Sequence, residues 1–195
     1  MQLTKDIITD AAIGILDEYG LQDLTIRRLA RHLDSAAGAM YWHFPSKQAL
    51  LGAIAGRILA GAGDPCGTGD WQSDVAAYAS ALRGALVAHN DGAEVVSAAL
   101  ATGTLDTSPA LVFERLLRPS GLDAGERADA ADTLLYFILG ATVDEQTAGQ
   151  LAALGSATDG AGSPARASDP GLRIRRGVAL ITTGIATRSR SAHPA

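Results

Sequence analysis

The apolar positions of this chain recur every three or four residues from one end to the other, which is the period of an α-helix. The first such stripe holds Ile8, Ala12, Ile15 and Tyr19, and Gly20 follows it as a stop signal. No stretch has the alternation typical of a strand, so we expect an all-α fold. The predicted helices cover residues 4–19, 26–33, 36–43, 46–60, 71–89, 93–101, 109–117, 124–154 and 172–188.

The second predicted helix has an apolar stripe and a basic outer side. Thr25 can cap its first turn. Asp34 interrupts the pattern and tolerates the left-handed backbone of a tight turn, and Ser35 can cap the helix that follows. The stripe consists of Ile26, Leu29, Ala30 and Leu33, and the arginines are Arg27, Arg28 and Arg31.

The third predicted helix begins with small residues, AAGA over residues 36–39, and ends with the aromatic run YWHF over residues 41–44. Small side chains contribute little to a core, but they let a helix approach base edges in the DNA major groove. Ser46 can cap the next helix, and Lys47 lies in its first turn, where free N–H groups and an ammonium can meet a phosphate. These features predict a helix-turn-helix that contacts DNA.

The run YWHFPSKQALL from Tyr41 to Leu51, preceded by LTIRRLA from Leu24 to Ala30, resembles the DNA-binding domain of the tetracycline-repressor (TetR) family. The resemblance implies that some of these side chains face bases and that others position the DNA backbone. The first group would be Arg27, Ala37, Gly38 and Ala39; the second would be Thr25, Tyr41, Trp42, His43 and Lys47, with Arg28 on the same surface.

A loop rich in glycine, residues 61–69, suggests a boundary between a DNA-binding part and a larger body. We expect a helix-turn-helix domain over residues 1–47 and a ligand-binding and dimerisation domain over 48–190. The helix over 46–60 would connect them. Residues 155–171 are polar and of low complexity, which predicts a flexible loop.

The net charge of −5 argues against a generally basic DNA-binding surface. The acidic excess lies beyond residue 60, however, and the bases of the first part cluster in the predicted DNA face. The chain has no apolar run of membrane-spanning length and no signal-peptide pattern, so we expect a cytoplasmic protein with no membrane partner. The single cysteine, Cys66, offers neither an internal disulfide nor a cysteine-rich metal site.

The predicted helices over 124–154 and 172–188 are apolar on more than one side and carry small residues that allow close helix approach. A second apolar stripe must be covered, and a second copy of the chain would cover it. Pairing would also place two recognition helices about 34–36 Å apart, which suits a palindromic site. We therefore expect a homodimer, as the family resemblance also implies.

The body resembles the ligand-binding part of the same family at Trp71-Gln72, at residues 89–93 and at residues 144–146. The position of a metal-binding imidazole in that family falls on Val96 here, so we expect neither a metal nor a cofactor. A largely apolar pocket would suit a small hydrophobic effector, although such side chains are equally typical of an ordinary core. The candidate effector contacts are Tyr78, Leu82, Leu86, Val96, Leu100, Phe113, Leu117, Tyr136, Phe137 and Asp144.

The sequence therefore predicts a ligand-responsive transcriptional regulator, a repressor that binds a palindromic operator as a homodimer and leaves it when a small hydrophobic effector binds. An all-α enzyme or carrier with a hydrophobic pocket is one alternative, and an activator of the same family is another. The four histidines are scattered and no catalytic or phosphate-binding motif is present, so we expect no enzymatic activity.

Overall fold

The computed structural model describes residues 3–65, 67–153, 155 and 169–192. Within these residues there are helices and turns and no strand, which confirms the all-α prediction. A 3₁₀ turn covers Arg118–Ser120. The helices are α1 (Lys5–Tyr19), α2 (Ile26–His32), α3 (Ala37–His43), α4 (Lys47–Ala60), α5 (Trp71–Val87), α6 (Gly92–Ala101), α7 (Pro109–Leu116), α8 (Ala124–Ala153) and α9 (Pro170–Ala192).

Hydroxyl side chains begin four of these helices. Thr4, Thr25, Ser46 and Ser108 each accept a hydrogen bond from a backbone N–H of the first turn, at 3.1–3.2 Å. The prediction that Ser35 caps α3 is wrong: Ala36 occupies the N-cap position, and no side chain caps this helix. The chain enters α3 directly from the tight turn.

The chain divides into two compact units, and the residues that each contains differ from those of the predicted domains. The first unit joins the residues up to 61 with residues 85–107, so that α6 packs against α4 in the unit that also contains α1 to α3. Its core includes Ile8, Leu16, Met40 and Ile54, all fully buried. The predicted boundary at residue 47 separates DNA binding from ligand binding and dimerisation, and this division of function stays a prediction.

The second unit consists of residues 62–84 and the chain from 108 onward. Here α8 packs against both α7 and α9. Tyr78 and Phe113 meet edge to face, with ring centroids 4.9 Å apart. On α9, Gly177 lies so close to the ring of Phe137 that a Cβ there would be 2.6 Å from Cε1. A larger residue at position 177 would therefore force the Phe137 ring to move.

The ends of the predicted flexible loop, residues 155–171, differ from the prediction. Pro170 and Gly171 already belong to α9, because proline is well tolerated in a first helical turn. Residues 156–168 lie outside the described residues, as does Cys66. At its other end α9 continues to Ala192, beyond the predicted end at residue 188. None of the described helices is long and apolar enough to cross a membrane.

Candidate DNA-binding surface and effector region

A tight turn sets the position of α3 against α2. Asp34 has a φ of 47°, the left-handed conformation predicted for it. The backbone N–H of Ser35 donates to the carbonyl of Ala30 at 2.9 Å and closes the turn. Leu29 of α2 and Met40 of α3 are fully buried, and the two helices are in contact. The helix-turn-helix thus rests on local backbone geometry and two core side chains.

Only one residue of α3, Met40, is buried. Trp42 is 91% exposed and Tyr41 is 52% exposed, although aromatic side chains of this size normally contribute to a core. A Cβ added at Gly38 would meet no protein atom within 4 Å, so packing within the chain does not require glycine there. Large aromatic groups and a small residue thus face outward on the same short helix.

The start of α4 contributes a capped helix N-terminus and an exposed ammonium group. Ser46 caps the helix by accepting from the N–H of Ala49 at 3.1 Å. Lys47, the first residue of α4, is exposed, and no ion pair occupies its ammonium in the part of the chain that the structure describes. An ammonium beside a helix N-terminus favours an anion such as a DNA phosphate.

The three arginines of α2 have different surroundings. All three line a groove of about 500 Å³ together with Thr25, but only Arg27 and Arg31 are exposed and without an ion pair among the described residues. Arg28 is instead paired with Asp23 at 2.5 Å, and its guanidinium lies 3.7 Å from the centre of the Tyr19 ring.

The remaining candidates complete the description of this surface. Thr25 is exposed while its hydroxyl caps α2, and His43 is half-buried at the end of α3. Ala37 and Ala39 are half-buried, whereas Gly38 is exposed. The ten candidate DNA contacts all lie in the first unit, on α2, α3 and the residues that begin α2 and α4.

The turn between α5 and α6 holds α1 through contacts that were not predicted from the sequence. The carboxylate of Asp17 lies 3.1 Å from Nδ1 of His89 and accepts the N–H of Asn90 at 3.1 Å. Asp91 has a φ of 54° and accepts the N–H of Leu21 at 2.7 Å. The run Asn90-Asp91-Gly92 indicates a helix end, but no local signal reveals partners some seventy residues away.

The candidate effector contacts are distributed over both units. In the first unit, Leu86 and Val96 are fully buried and Leu100 is half-buried. In the second unit, Tyr136 is 66% exposed, Asp144 is exposed and Phe137 packs on Gly177. The buried members of the second unit are Tyr78, Leu82, Phe113 and Leu117.

Tyr78 is the polar member of this buried set. Burial raises the pKa of its hydroxyl to about 12, an effect that Arg115 opposes and Asp64 strengthens. The hydroxyl therefore stays protonated at physiological pH and can donate a hydrogen bond.

Both parts of the chain match known protein families. Residues 8–54 match the family of bacterial regulatory proteins named tetR, and residues 65–166 match the tetracyclin repressor-like C-terminal domain. The tetracycline repressor protein class A from transposon 1721 of Escherichia coli is 36% identical over 148 residues, which is 74% of this chain and 68% of that protein.

Solved structures extend the similarity to almost the whole chain. BioQ of Mycobacterium smegmatis is 40% identical, with a TM-score of 0.83 over 95% of this chain and 99% of that one. A structure of BioQ with its double-stranded DNA operator has 38% identity and a TM-score of 0.77, covering 95% and 99%. A single-residue variant of TetR from Acinetobacter baumannii AYE, in complex with minocycline, has 25% identity and a TM-score of 0.78, covering 96% and 99%.

The helix-turn-helix of the first unit and the similarities along both halves of the sequence indicate the same family. The chain belongs to the TetR family and is a DNA-binding transcriptional regulator.

Proposed function

We propose that this regulator is a repressor that binds a palindromic operator as a homodimer and is released by a small hydrophobic effector. The outward-facing aromatic end of α3 carries the DNA-binding part of this proposal. Trp42 is 91% exposed beside the exposed Tyr41, and the core does not use either ring. Next to them, Lys47 and Arg27 carry positive charge without an ion pair in the described residues. Aromatic groups and unpaired cations on one surface suit the sugar-phosphate backbone of DNA.

The same surface supports base contacts by the start of α3. Ala37, Gly38 and Ala39 extend so little from the helix that its backbone can come close to base edges and thymine methyl groups. The structure of BioQ with its DNA operator shows that a protein 38% identical to this chain binds duplex DNA. We infer that α3 enters the major groove and that Arg27 reaches a base from α2.

The proposed homodimer rests on exposed apolar groups of α8 and α9. Tyr136 of α8 is 66% exposed and Leu180 of α9 is 76% exposed. Each helix also carries a glycine, Gly140 in α8 and Gly184 in α9, at which an added Cβ would meet no atom within 4 Å. These two helices can pair with the same two helices of a second copy and bury both side chains twice. A dimer also presents two α3 helices to two half-sites of an operator.

The proposed effector response rests on the presence of α6 in the same unit as the DNA-binding helices. Val96 and Leu100, both candidate effector contacts, lie on α6, and α6 packs against α4 within the unit that contains α3. A ligand that displaces α6 would therefore act directly on the DNA-binding unit. A coupling free energy of about 1–3 kcal/mol would change operator affinity roughly 5–150-fold. The A. baumannii relative, which binds minocycline, supports a small-molecule effector.

The DNA-binding proposal is tested by Tyr41→Ala and Lys47→Ala, measured on genomic fragments that the wild-type protein selects. Both side chains are exposed and neither is required for packing. We expect each variant to lose at least about tenfold in affinity in gel-shift titrations, because backbone contacts are lost. The circular dichroism spectrum and the Tm should remain those of the wild type.

Arg57→Ala provides the matched control. This arginine also lies on the surface of the first unit, but its guanidinium is paired with Asp6 at 3.0 Å and with Asp10 at 2.5 Å. We expect its affinity for the selected fragments to stay within about twofold of wild type. Wild-type affinity in both test variants would contradict the proposed surface.

A further inference from the structure

A cleft of about 310 Å³ lies in the second unit between the connection from α4 to α5 and one side of α5. Tyr78 is the only candidate effector contact among its lining residues, so the cleft is not the apolar pocket predicted from the sequence. Polar groups line one part of it, and Asp74 supplies the carboxylate. The apolar lining consists of Ala62, Pro65, Ala77, Tyr78 and Ala81.

Asp74 is only 6% exposed, and within the described residues the hydrogen bonds to its carboxylate come from a single neighbour. The backbone N–H of Thr68 donates to both of its oxygens, at 2.9 Å to Oδ1 and 3.0 Å to Oδ2. The Thr68 hydroxyl donates to Oδ1 at 2.7 Å. Oδ2 therefore accepts one hydrogen bond, from an N–H that it shares with Oδ1. No cationic side chain pairs with this carboxylate in the described ranges.

A buried carboxylate is costly unless a charge or several hydrogen bonds compensate it. The first turn of α5, in which Asp74 lies, also favours a negative charge, but all the hydrogen bonds to this carboxylate come from Thr68, and the hydroxyl of Thr68 donates to Oδ1 alone. A cationic N–H group in the cleft would supply the strong, charge-assisted hydrogen bond that Oδ2 lacks.

The side of α5 that lines the cleft leaves room for such a ligand. Ala77 and Ala81 lie one turn apart and present only methyl groups. The volume is near the lower end of small-molecule sites, so a compact ligand suits it. An ion pair between Asp64 and Arg115 of α7 ties the connecting segment to its own unit.

We propose that this cleft binds a small apolar molecule with a primary ammonium group, which contacts Oδ2 of Asp74 while its apolar part lies on Ala77 and Ala81. This site goes beyond the proposed repressor function. Binding is measured on the protein without DNA, so its failure and that of the DNA-binding proposal are distinguishable.

The test compares two probes of the same shape, 4-phenylbutylamine and 4-phenylbutan-1-ol, by NMR titration of the full-length ¹⁵N-labelled chain. We expect both probes to shift the amide signals of Thr68, Ala77 and Ala81, because both carry the same apolar group. The amine should bind at least about tenfold more tightly, because only the amine is cationic. Equal affinities, or shifts confined to other segments, would overturn the proposal.

Two kinds of variant separate the carboxylate from the cleft. Asp74→Asn keeps an acceptor for Thr68 and should lower the affinity of the amine to that of the alcohol. Asp132→Asn removes an exposed carboxylate of α8 in the same unit and should leave both affinities unchanged. Ala81→Leu fills the cleft and should abolish binding of both probes, which provides a test even if Asp74→Asn does not fold. Unchanged amine binding in Ala81→Leu would overturn the assignment.

Discussion

Three arginines on α2 are equivalent in a helical pattern but differ in what they contact. Arg28 lies on the Tyr19 ring and pairs with Asp23, so it connects α2 to the end of α1 and to the loop between them. Arg27 and Arg31 are exposed and have no ion pair among the described residues, although all three arginines line the groove of about 500 Å³. The family resemblance places Arg27 and Arg28 on one surface. Their contacts differ, because Arg28 is held by Asp23 and Tyr19 whereas the exposed Arg27 is available to DNA.

Arg27→Ala and Arg28→Ala should therefore have opposite profiles. Arg27→Ala should leave the Tm unchanged and weaken operator binding by about 1–3 kcal/mol, because a DNA contact is lost. Arg28→Ala should lower the Tm by about 2–4 °C, because an ion pair and a cation–π contact together contribute on the order of 1 kcal/mol. Calorimetry and gel-shift titration measure the two effects.

Identical profiles for the two variants would contradict this division of roles. Arg31→Ala serves as a control, since this side chain shares the groove but is not a candidate base contact. We expect it to behave as a phosphate contact, with a smaller loss of affinity that is uniform across DNA sequences.

The candidate site shows which residues a sequence can identify. Tyr41, Trp42 and Lys47 are recognisable because their motif is contiguous, and the structure places all three side chains outward. The role of Asp17 is not recognisable, because its partners His89 and Asn90 are more than seventy residues away. Local spacing predicts which side chains share a helix face, but not which distant turn that face meets.

At the scale of elements, α4 packs very closely against the residues after α6. A Cβ at Gly52 would be 2.8 Å from Cβ of Thr104 and would collide with the Thr104 carbonyl oxygen. Backbone cannot move aside as a flexible side chain can. Gly56, one turn further along α4, is exposed and has no atom within 4 Å of an added Cβ.

Gly52→Ala should consequently destabilise the protein by about 1–3 kcal/mol, the usual cost of overpacking. Gly56→Ala should stabilise it by up to about 1 kcal/mol, because alanine is the better helix former and the site is open. Urea unfolding followed by circular dichroism compares the two free energies of unfolding. Equal effects would show that α4 does not require the close approach to Thr104.

Element positions were predictable to within a few residues, because helical spacing and caps are local. Thr25, Ser46 and Gly20 are each found in the predicted role at a helix end. The ends of α9 were not, since Pro170 and Gly171 belong to a sequence that looks like loop. The association of α6 with α4 also escaped prediction, because Gly52 and Thr104 give no signal of their contact in the sequence.

At the scale of the whole molecule, apolar surface remains on α8 and α9. Leu180 is 76% exposed, a large fraction for a leucine on a long helix whose other face is buried. Ile174, Val178 and Ile185 form that buried face. The sequence indicated two apolar sides on these helices, and the described contacts within one chain cover one of them.

Leu180→Arg should therefore convert the proposed dimer to monomers in sedimentation-velocity measurements. A two-fold interface contains the substitution twice, so it loses two buried leucines, each worth roughly 1.5–3 kcal/mol, and brings like charges together. Operator affinity should fall with it, because a monomer reaches only one half-site. Leu111→Arg is the matched control: Leu111 is 57% exposed on α7, outside the proposed interface, and its replacement should leave the dimer intact. Dissociation of Leu111→Arg with a stable Leu180→Arg dimer would place the interface on a different face.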